Sequence, residues 1–325
     1  MVKAVRIHAT GDPSVLRYED VPVSRPERGE ALIRHTACGL NYIDTYQRSG
    51  LYPLAHLPAV LGMEGAGVVE ELGEGVSDLK PGDRVAYGAA PIGGYAEKRT
   101  IPADRLVRLP DDVSEEQAAA MMLQGMTVEY LLRRTYPVRP GETIVVHAAA
   151  GGVGLIMCQW AKHLGATVIG TVGTEEKAAL ARAHGCDHAI VYSREDFARR
   201  VRELTDGKGV PVVYDSVGKS TFEGSLDCLR PRGLMVSFGN ASGPVPPFGL
   251  GVLSQKGSLY LTRPSLVHYT ALRGELVESA NALFDVVRRG AVRIEIRQRY
   301  ALKDAAQAHR DLEGRKTTGS TILVP

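Results

Sequence analysis

Apolar residues return along this chain in two rhythms. Between Thr143 and about Thr262, compact apolar runs at Thr143–His147, Thr167–Val172, His188–Tyr192, Pro211–Ser216, Leu234–Phe238 and Ser258–Thr262 read as strands. The stretches between the first five, 153–164, 175–184, 195–205 and about 220–229, repeat apolar side chains at three- or four-residue spacing and read as helices. Alternation of this kind builds a doubly wound parallel sheet of the α/β class. The sixth run follows a Gly- and Pro-rich stretch, Gly239 to Gly251, in place of a clear helix, so its position in the sheet stays open. Upstream the texture differs. Short β-like runs at Val2–His8, Glu30–Ala37, Gly67–Leu72, Asp83–Tyr87, Gly94–Ile101 and Leu106–Leu109 are separated by Gly, Pro and Asp, which predicts a compact, partly antiparallel, barrel-like domain. Ser114-Glu115-Glu116-Gln117 ahead of an Ala/Met/Leu run is a helix N-cap signal. After about Arg263, helical patterns at 275–289 and 303–313 and a last strand, Ser320–Val324, form a tail that can return to the first domain.

The first α/β strand ends in Ala148-Ala149-Ala150-Gly151-Gly152-Val153-Gly154 and opens directly into an amphipathic helix. Gly151 and Gly152 let the backbone approach a pyrophosphate, with Val153 on the same turn, and Gly154 lets the helix pack close to the strand. The helix start adds N–H groups and positive potential. Strand before, helix after and a second strand behind it make this a dinucleotide site and not a chance glycine cluster.

Length and composition set outer bounds. The 325 residues, 44% of them hydrophobic, can bury a core large enough for two domains. No apolar run reaches the roughly eighteen residues of a membrane span, and the start, Met1-Val2-Lys3-Ala4-Val5-Arg6, has no signal-peptide apolar region, so a cytoplasmic location is expected. Cys38, Cys158, Cys186 and Cys228 are scattered without CxxC spacing, which argues for buried thiols and against a disulfide framework or structural zinc. A net charge of +2, with basic and acidic residues interspersed, gives no footprint for nucleic acid.

Four segments carry a family resemblance. They are Gly39-Leu40-Asn41-Tyr42-Ile43-Asp44-Thr45-Tyr46 with Arg48-Ser49-Gly50-Leu51-Tyr52, then His147–Gly154, Val213-Tyr214-Asp215-Ser216-Val217-Gly218, and Gly257–Ser265. Together they resemble the medium-chain dehydrogenase/reductase superfamily and, within it, the zeta-crystallin-like NADPH:quinone oxidoreductases. The resemblance implies a GroES-like β-rich catalytic domain from 1–123 and 263–325, with a Rossmann NADPH-binding domain, 124–262, inserted. It also implies a homodimer paired through the Rossmann sheet edge near Gly257–Thr262.

Zinc can be tested on the residues themselves. In zinc-dependent relatives a Cys ligand stands where this chain has Asn41, and a His ligand where it has Met63. The third ligand position falls near Leu123, and no four-cysteine lobe lies between Asp83 and Arg105. Amide plus thioether is a poor donor set for zinc, so no metal is expected. Asp44 and Glu64 are expected to hydrogen-bond within the domain. Without a metal to acidify an alcohol, hydride addition to an electron-poor quinone or conjugated enone is the chemistry that remains.

NAD-preferring sheets place an acid about twenty residues past the glycines to bind the ribose hydroxyls. Here that position is Gly173, followed by Thr174, and Lys177 on the next helix can pair with a 2′-phosphate. The segment predicts NADPH over NADH, with Glu175 and Glu176 as counter-indications that serve the helix dipole. By resemblance Tyr192 joins Lys177 at that phosphate. The resemblance also places Asn41, Tyr46, Thr127 and Tyr130 at the nicotinamide half, and Ser216 after the fourth strand. Phe238, Gly239, Asn240 and Ala241 follow the fifth strand, with Arg263, Pro264 and Ser265 beyond the sixth and Arg315 reaching in from the C-terminal segment. Asn41, Tyr46 and Tyr52 are the candidate catalytic residues, as donors to the oxyanion of a reduced quinone. Two other readings stand beside quinone reduction. Zinc-free relatives reduce α,β-unsaturated carbonyls, and some zeta-crystallin relatives bind AU-rich RNA or serve as structural lens proteins; the charge pattern and lack of an RNA module argue against the second.

Overall fold

A computed structural model describes residues 1–325. Contacts divide them into two compact units, Met1–Met126 with Tyr269–Arg288 and Ile294–Pro325, and Thr127–His268 with Arg289–Arg293.

The first unit is mostly antiparallel sheet. Its strands are β1 (Val2–Ile7), β2 (Arg17–Val21), β3 (Glu30–Leu40), β4 (Ala59–Val60), β5 (Gly65–Leu72), β6 (Arg84–Tyr87), β7 (Lys98–Pro102) and β8 (Val107–Arg108). The long strand β3 pairs with β5 along one edge and with β7 over its first half, where alternate residues Ala31 and Ile33 point into a core with Val69, Val85 and Ile101. After β3 comes α1, Tyr42–Ser49, which apolar periodicity does not announce. Its buried side chains are Asp44, Thr45, Tyr46, Gln47 and Arg48, a largely polar set. The helix is set by its ends instead: Asp44 reaches back to the Asn41 N–H at 2.8 Å, and Gly50 closes it at φ 85°. Ser114 caps α2, Glu115–Ala119, as its sequence signal predicts, and α3, Met122–Tyr130, follows.

The second unit is the doubly wound sheet. Strands β9 (Thr143–His147), β10 (Thr167–Val172), β11 (His188–Val191), β12 (Val210–Asp215), β13 (Leu229–Ser237) and β14 (Tyr260–Thr262) are all parallel, in the order β11-β10-β9-β12-β13-β14. Helices α4 (Gly152–His163), α5 (Glu175–Ala183), α6 (Phe197–Leu204) and α7 (Phe222–Cys228) connect them. The strand whose place was open pairs with β13 through Leu234↔Tyr260 to Val236↔Thr262 and takes the sheet edge. Before it a short helix, α8 (Gly251–Gln255), follows directly on the Gly- and Pro-rich stretch, and Ser258 at φ 55° delays the strand to Tyr260. β12 is buried along its whole length, as a central strand covered on both faces must be.

The chain then returns to the first unit. Helices α9 (Leu266–Tyr269) and α10 (Arg273–Arg288) lead to β15 (Ile296–Ala301), α11 (Ala305–Glu313) and β16 (Ser320–Val324). β16 pairs with the last residues of β3, so the C-terminus completes the sheet that the N-terminal segment begins.

Gly154 shows how closely α4 meets β9. A Cβ there would lie 2.3 Å from the Ala148 carbonyl oxygen and 2.7 Å from the carbonyl carbon of Ala149, both backbone atoms that cannot swing away. Gly154→Ala is therefore expected to destabilise the protein by about 1–3 kcal/mol, read as a lower urea midpoint at unchanged m-value.

Candidate active site

In the second unit, the β9–α4 turn carries the nucleotide-binding features. Ala148 sits in the left-handed region at φ 53°, and the Gly151 N–H returns to its carbonyl at 2.9 Å, which tightens the turn before Gly151 caps α4. The amides of Gly152, Val153 and Gly154 occupy the first turn of a twelve-residue helix, where helix geometry leaves N–H groups for a phosphate.

At the neighbouring strand ends, a Cβ on Gly173 would lie 2.9 Å from the Tyr192 hydroxyl, so the two residues are adjacent across β10 and β11. The Thr174 hydroxyl caps α5 through the Lys177 N–H at 3.3 Å, which seats Lys177 on the first turn. Both acids that argued against a phosphate are occupied locally. Glu175 pairs with Arg182 at 3.0 Å and Arg194 at 3.5 Å, and the Thr174 hydroxyl bonds to Glu176 and lowers its pKa. Arg194 was not singled out from the sequence, since nothing in its spacing marks it.

Beyond β12, β13 and β14 three predicted segments come together. The Phe238 N–H bonds to the Asp215 carbonyl at 2.8 Å and the Ala241 N–H to the Ser216 carbonyl at 3.2 Å, while Arg263 donates to the carbonyls of Ser237 and Gly239 at 2.8 and 3.2 Å. Asn240 lies in that same loop, and Pro264 and Ser265 continue from Arg263. Asp215 is fully buried and accepts at both oxygens, from the N–H groups of Val217 and Gly218 and the hydroxyls of Thr221 and Ser225. His147 contacts Ser225 at 2.9 Å, yet this is no nucleophilic triad: the serine gives its proton to Asp215 and is sealed in the core. Thr127 and Tyr130 stand one turn apart on α3, both buried, with Tyr130 only 2% exposed.

The first unit gathers Asn41, Tyr46 and Tyr52. Tyr46 packs edge-on against Tyr52 with ring centroids 5.2 Å apart. Asn41, at the end of β3, donates from Nδ2 to Glu64 Oε2 at 2.6 Å and accepts at Oδ1 from Gln124 Nε2 at 3.1 Å. Gln124 accepts in turn from the Ser320 hydroxyl at 2.8 Å, and the Leu123 N–H donates to the other Glu64 oxygen at 2.8 Å. Gly39 makes room for this carboxylate, because a Cβ there would fall 2.1 Å from Glu64 Oε2. A second chain runs from Asp44 through the Tyr95 hydroxyl, 2.8 Å, to His309, 3.1 Å. From there it reaches Arg48, whose guanidinium grips Glu313 at 2.8 and 2.7 Å. Arg315, exposed and at φ 57°, lies two residues past Glu313.

This chemistry does not suit zinc. Asn41 is held by Glu64 and Gln124, and the Met63 sulfur accepts from Gln47 at 3.2 Å. The third position, Leu123, presents an N–H, which repels a cation. Asp44 and Glu64 hydrogen-bond within their unit, as the sequence led us to expect, and no cluster of three His, Cys, Asp or Glu side chains is poised to hold a metal.

A Rossmann sheet with an open helix start, joined in one chain to a GroES-like unit whose ligand positions hold an amide and a thioether, defines a zinc-free medium-chain dehydrogenase/reductase. Residues 27–111 match the alcohol dehydrogenase GroES-like domain and residues 152–282 the zinc-binding dehydrogenase family. The chain is similar to a quinone oxidoreductase of Pseudomonas aeruginosa, 58% identical over 100% of both chains. A 2-haloacrylate reductase of a Burkholderia species is 48% identical over 100% of this chain and 99% of its own. Among solved structures, the Escherichia coli quinone oxidoreductase complexed with NADPH matches with a TM-score of 0.98 at 51% identity, covering 99% of this chain and 100% of that one. The chain belongs to the quinone oxidoreductase family of the medium-chain dehydrogenase/reductase superfamily.

Burial leaves opposite marks on the ionisable groups of the first unit. It pushes Glu64 up to about 8 and Asp44 up to about 7, against the N–H and hydroxyl donors that favour their anions. It pushes His35 down to about 4 and His309 down to about 3, in each case helped by a neighbouring arginine. Below about pH 6.5 the unfolded chain binds the extra protons at the histidines, so their contribution to stability grows as pH rises toward 6.5. From about pH 4 upward the folded chain holds extra protons on Glu64 and Asp44, which offsets the histidines up to about pH 6 and makes stability fall from there toward pH 8. Urea unfolding is expected to show a broad maximum at about pH 5, with a decline to pH 8.5 that Glu64→Gln reduces. An unchanged decline in that variant would assign it to other groups.

Proposed function

We propose that this chain is an NADPH-dependent quinone reductase in which Asn41, Tyr46 and Tyr52 receive the quinone and the 151–154 turn with Gly173, Thr174, Lys177 and Tyr192 holds the cofactor. The function itself follows from the full-length relatives, and NADPH from the solved relative bound to it. The observation that carries the residue assignment is the Asn41 amide, tethered by a buried carboxylate where zinc-dependent relatives hold metal. When bound, NADPH supplies the hydride. The chain's own residues do the rest.

The α4 N-terminal amides take the pyrophosphate, and Lys177 gives the 2′-phosphate a point charge beside the Tyr192 hydroxyl, on a strand end without a competing acid. Ser216, the 238–241 loop, the 263–265 return, Thr127, Tyr130 and Arg315 complete the cofactor contacts. Asn41 keeps a second Nδ2 hydrogen beyond the one given to Glu64, and this N–H, with Tyr46 or Tyr52, stabilises the negative charge that develops on the quinone oxygen. The tyrosine hydroxyl is suited to hand over the proton that completes the quinol. In this reading residues 1–123 with 263–325 form the catalytic domain and 124–262 the cofactor domain. Two copies pair through β14, a sheet-edge strand where Tyr260 is 61% exposed, and the protein works in the cytoplasm.

Asn41→Ala is expected to lower kcat on 1,4-benzoquinone about a hundredfold and Tyr52→Phe about tenfold. Wild-type rates in both would remove these residues from the mechanism. Lys177→Ala is expected to raise KM for NADPH about tenfold while leaving NADH kinetics unchanged, which a loss confined to phosphate recognition requires. Turnover of 2-haloacrylate and alkenals beside quinones with the same cofactor tests the acceptor class; faster enone than quinone reduction would move the assignment.

A further inference from the structure

Gln124 was not singled out by the sequence, and its place is specific. It is 6% exposed and every polar atom of its amide is committed, Oε1 accepting from Ser320 at 2.8 Å and Nε2 donating to Asn41 Oδ1 at 3.1 Å. Asn41 passes the direction on by donating to Glu64 at 2.6 Å, and Glu64 ends the chain with its other oxygen on the Leu123 N–H. All three bonds point the same way, from Ser320 toward Glu64.

An asparagine amide can turn over, exchanging its donor and acceptor ends at little steric cost. The two neighbours decide between the orientations: an N–H donor on one side demands the carbonyl oxygen, and a carboxylate on the other demands the NH₂. We propose that Gln124 is a positioning residue, which with Ser320 and Glu64 fixes the direction of the Asn41 amide so that an N–H, and not a carbonyl oxygen, is offered to the reduced quinone oxygen. The proposal rests on the reading of Asn41 as an oxyanion donor. Strand β16 brings Ser320 to the chain and α3 brings Gln124, so the C-terminal strand has a part in the chemistry beyond closing the sheet.

The test compares four variants at pH 9, above the range into which burial lifts Glu64, where its carboxylate can only accept. Gln124→Met keeps the length and removes both amide atoms; kcat should fall about tenfold with KM for NADPH unchanged. Gln124→Glu puts an acceptor against the Asn41 oxygen and should lower both Tm and kcat further. The double variant Glu64→Gln with Gln124→Glu can restore every bond with the two that Asn41 makes reversed, and it conserves charge. It should recover the Tm lost in Gln124→Glu, yet remain at least tenfold below wild type in kcat, because Asn41 now faces the other way. A merely structural role predicts that kcat recovers together with Tm. Wild-type kcat in Gln124→Met, or in the double variant, overturns the proposal while a defective Asn41→Ala still upholds the donor reading. Wild-type kcat in Asn41→Ala overturns both.

Discussion

Glu64 is the constraint on which the catalytic unit turns. A carboxyl group with no solvent exposure is costly unless donors surround it, and this one is met by the Leu123 N–H, by the Asn41 amide and by space that only a glycine at 39 leaves open. Three segments far apart in sequence converge on it: the end of β3, the α3 start and, through Gln124, the last strand. In zinc-dependent relatives a cation would hold this ground. Here a hydrogen-bond chain with one direction does so, and it offers a quinone a donor where a metal would offer a positive charge.

The Rossmann half was largely legible in the sequence. Alternation of apolar runs and helical patterns located its strands to within a few residues, because buried parallel strands are apolar on both faces and leave little ambiguity. Helix α1 was invisible to the same reasoning. It buries Asp44, Gln47 and Arg48 rather than an apolar stripe, so only its end signals, Asn41 and Gly50, betray it. β13 begins at Leu229, ahead of the Leu234 expected, because Leu229 already pairs with Val210 before an irregularity over 230–233, with Arg232 at φ 59°, from which the ladder resumes at Leu234.

The polar network was legible only in part. Asn41 and Met63 stood out because they occupy positions where other members carry metal ligands, whereas Gln124 sits among the apolar residues of α3 and reads as helix face. The Tyr95–His309 contact joins residues 214 positions apart, and no local pattern encodes a pairing of that separation. Side-chain chains of this kind are fixed by tertiary packing, so sequence can name some of their anchors but not their links.

The central claim is that quinone reduction here needs no metal. The protein, dialysed against a strong chelator and shown by atomic emission to hold no stoichiometric zinc, is to be assayed for NADPH oxidation with 1,4-benzoquinone. The account predicts the kcat of untreated protein. A rate that is lost on chelation and returns with added zinc would contradict it.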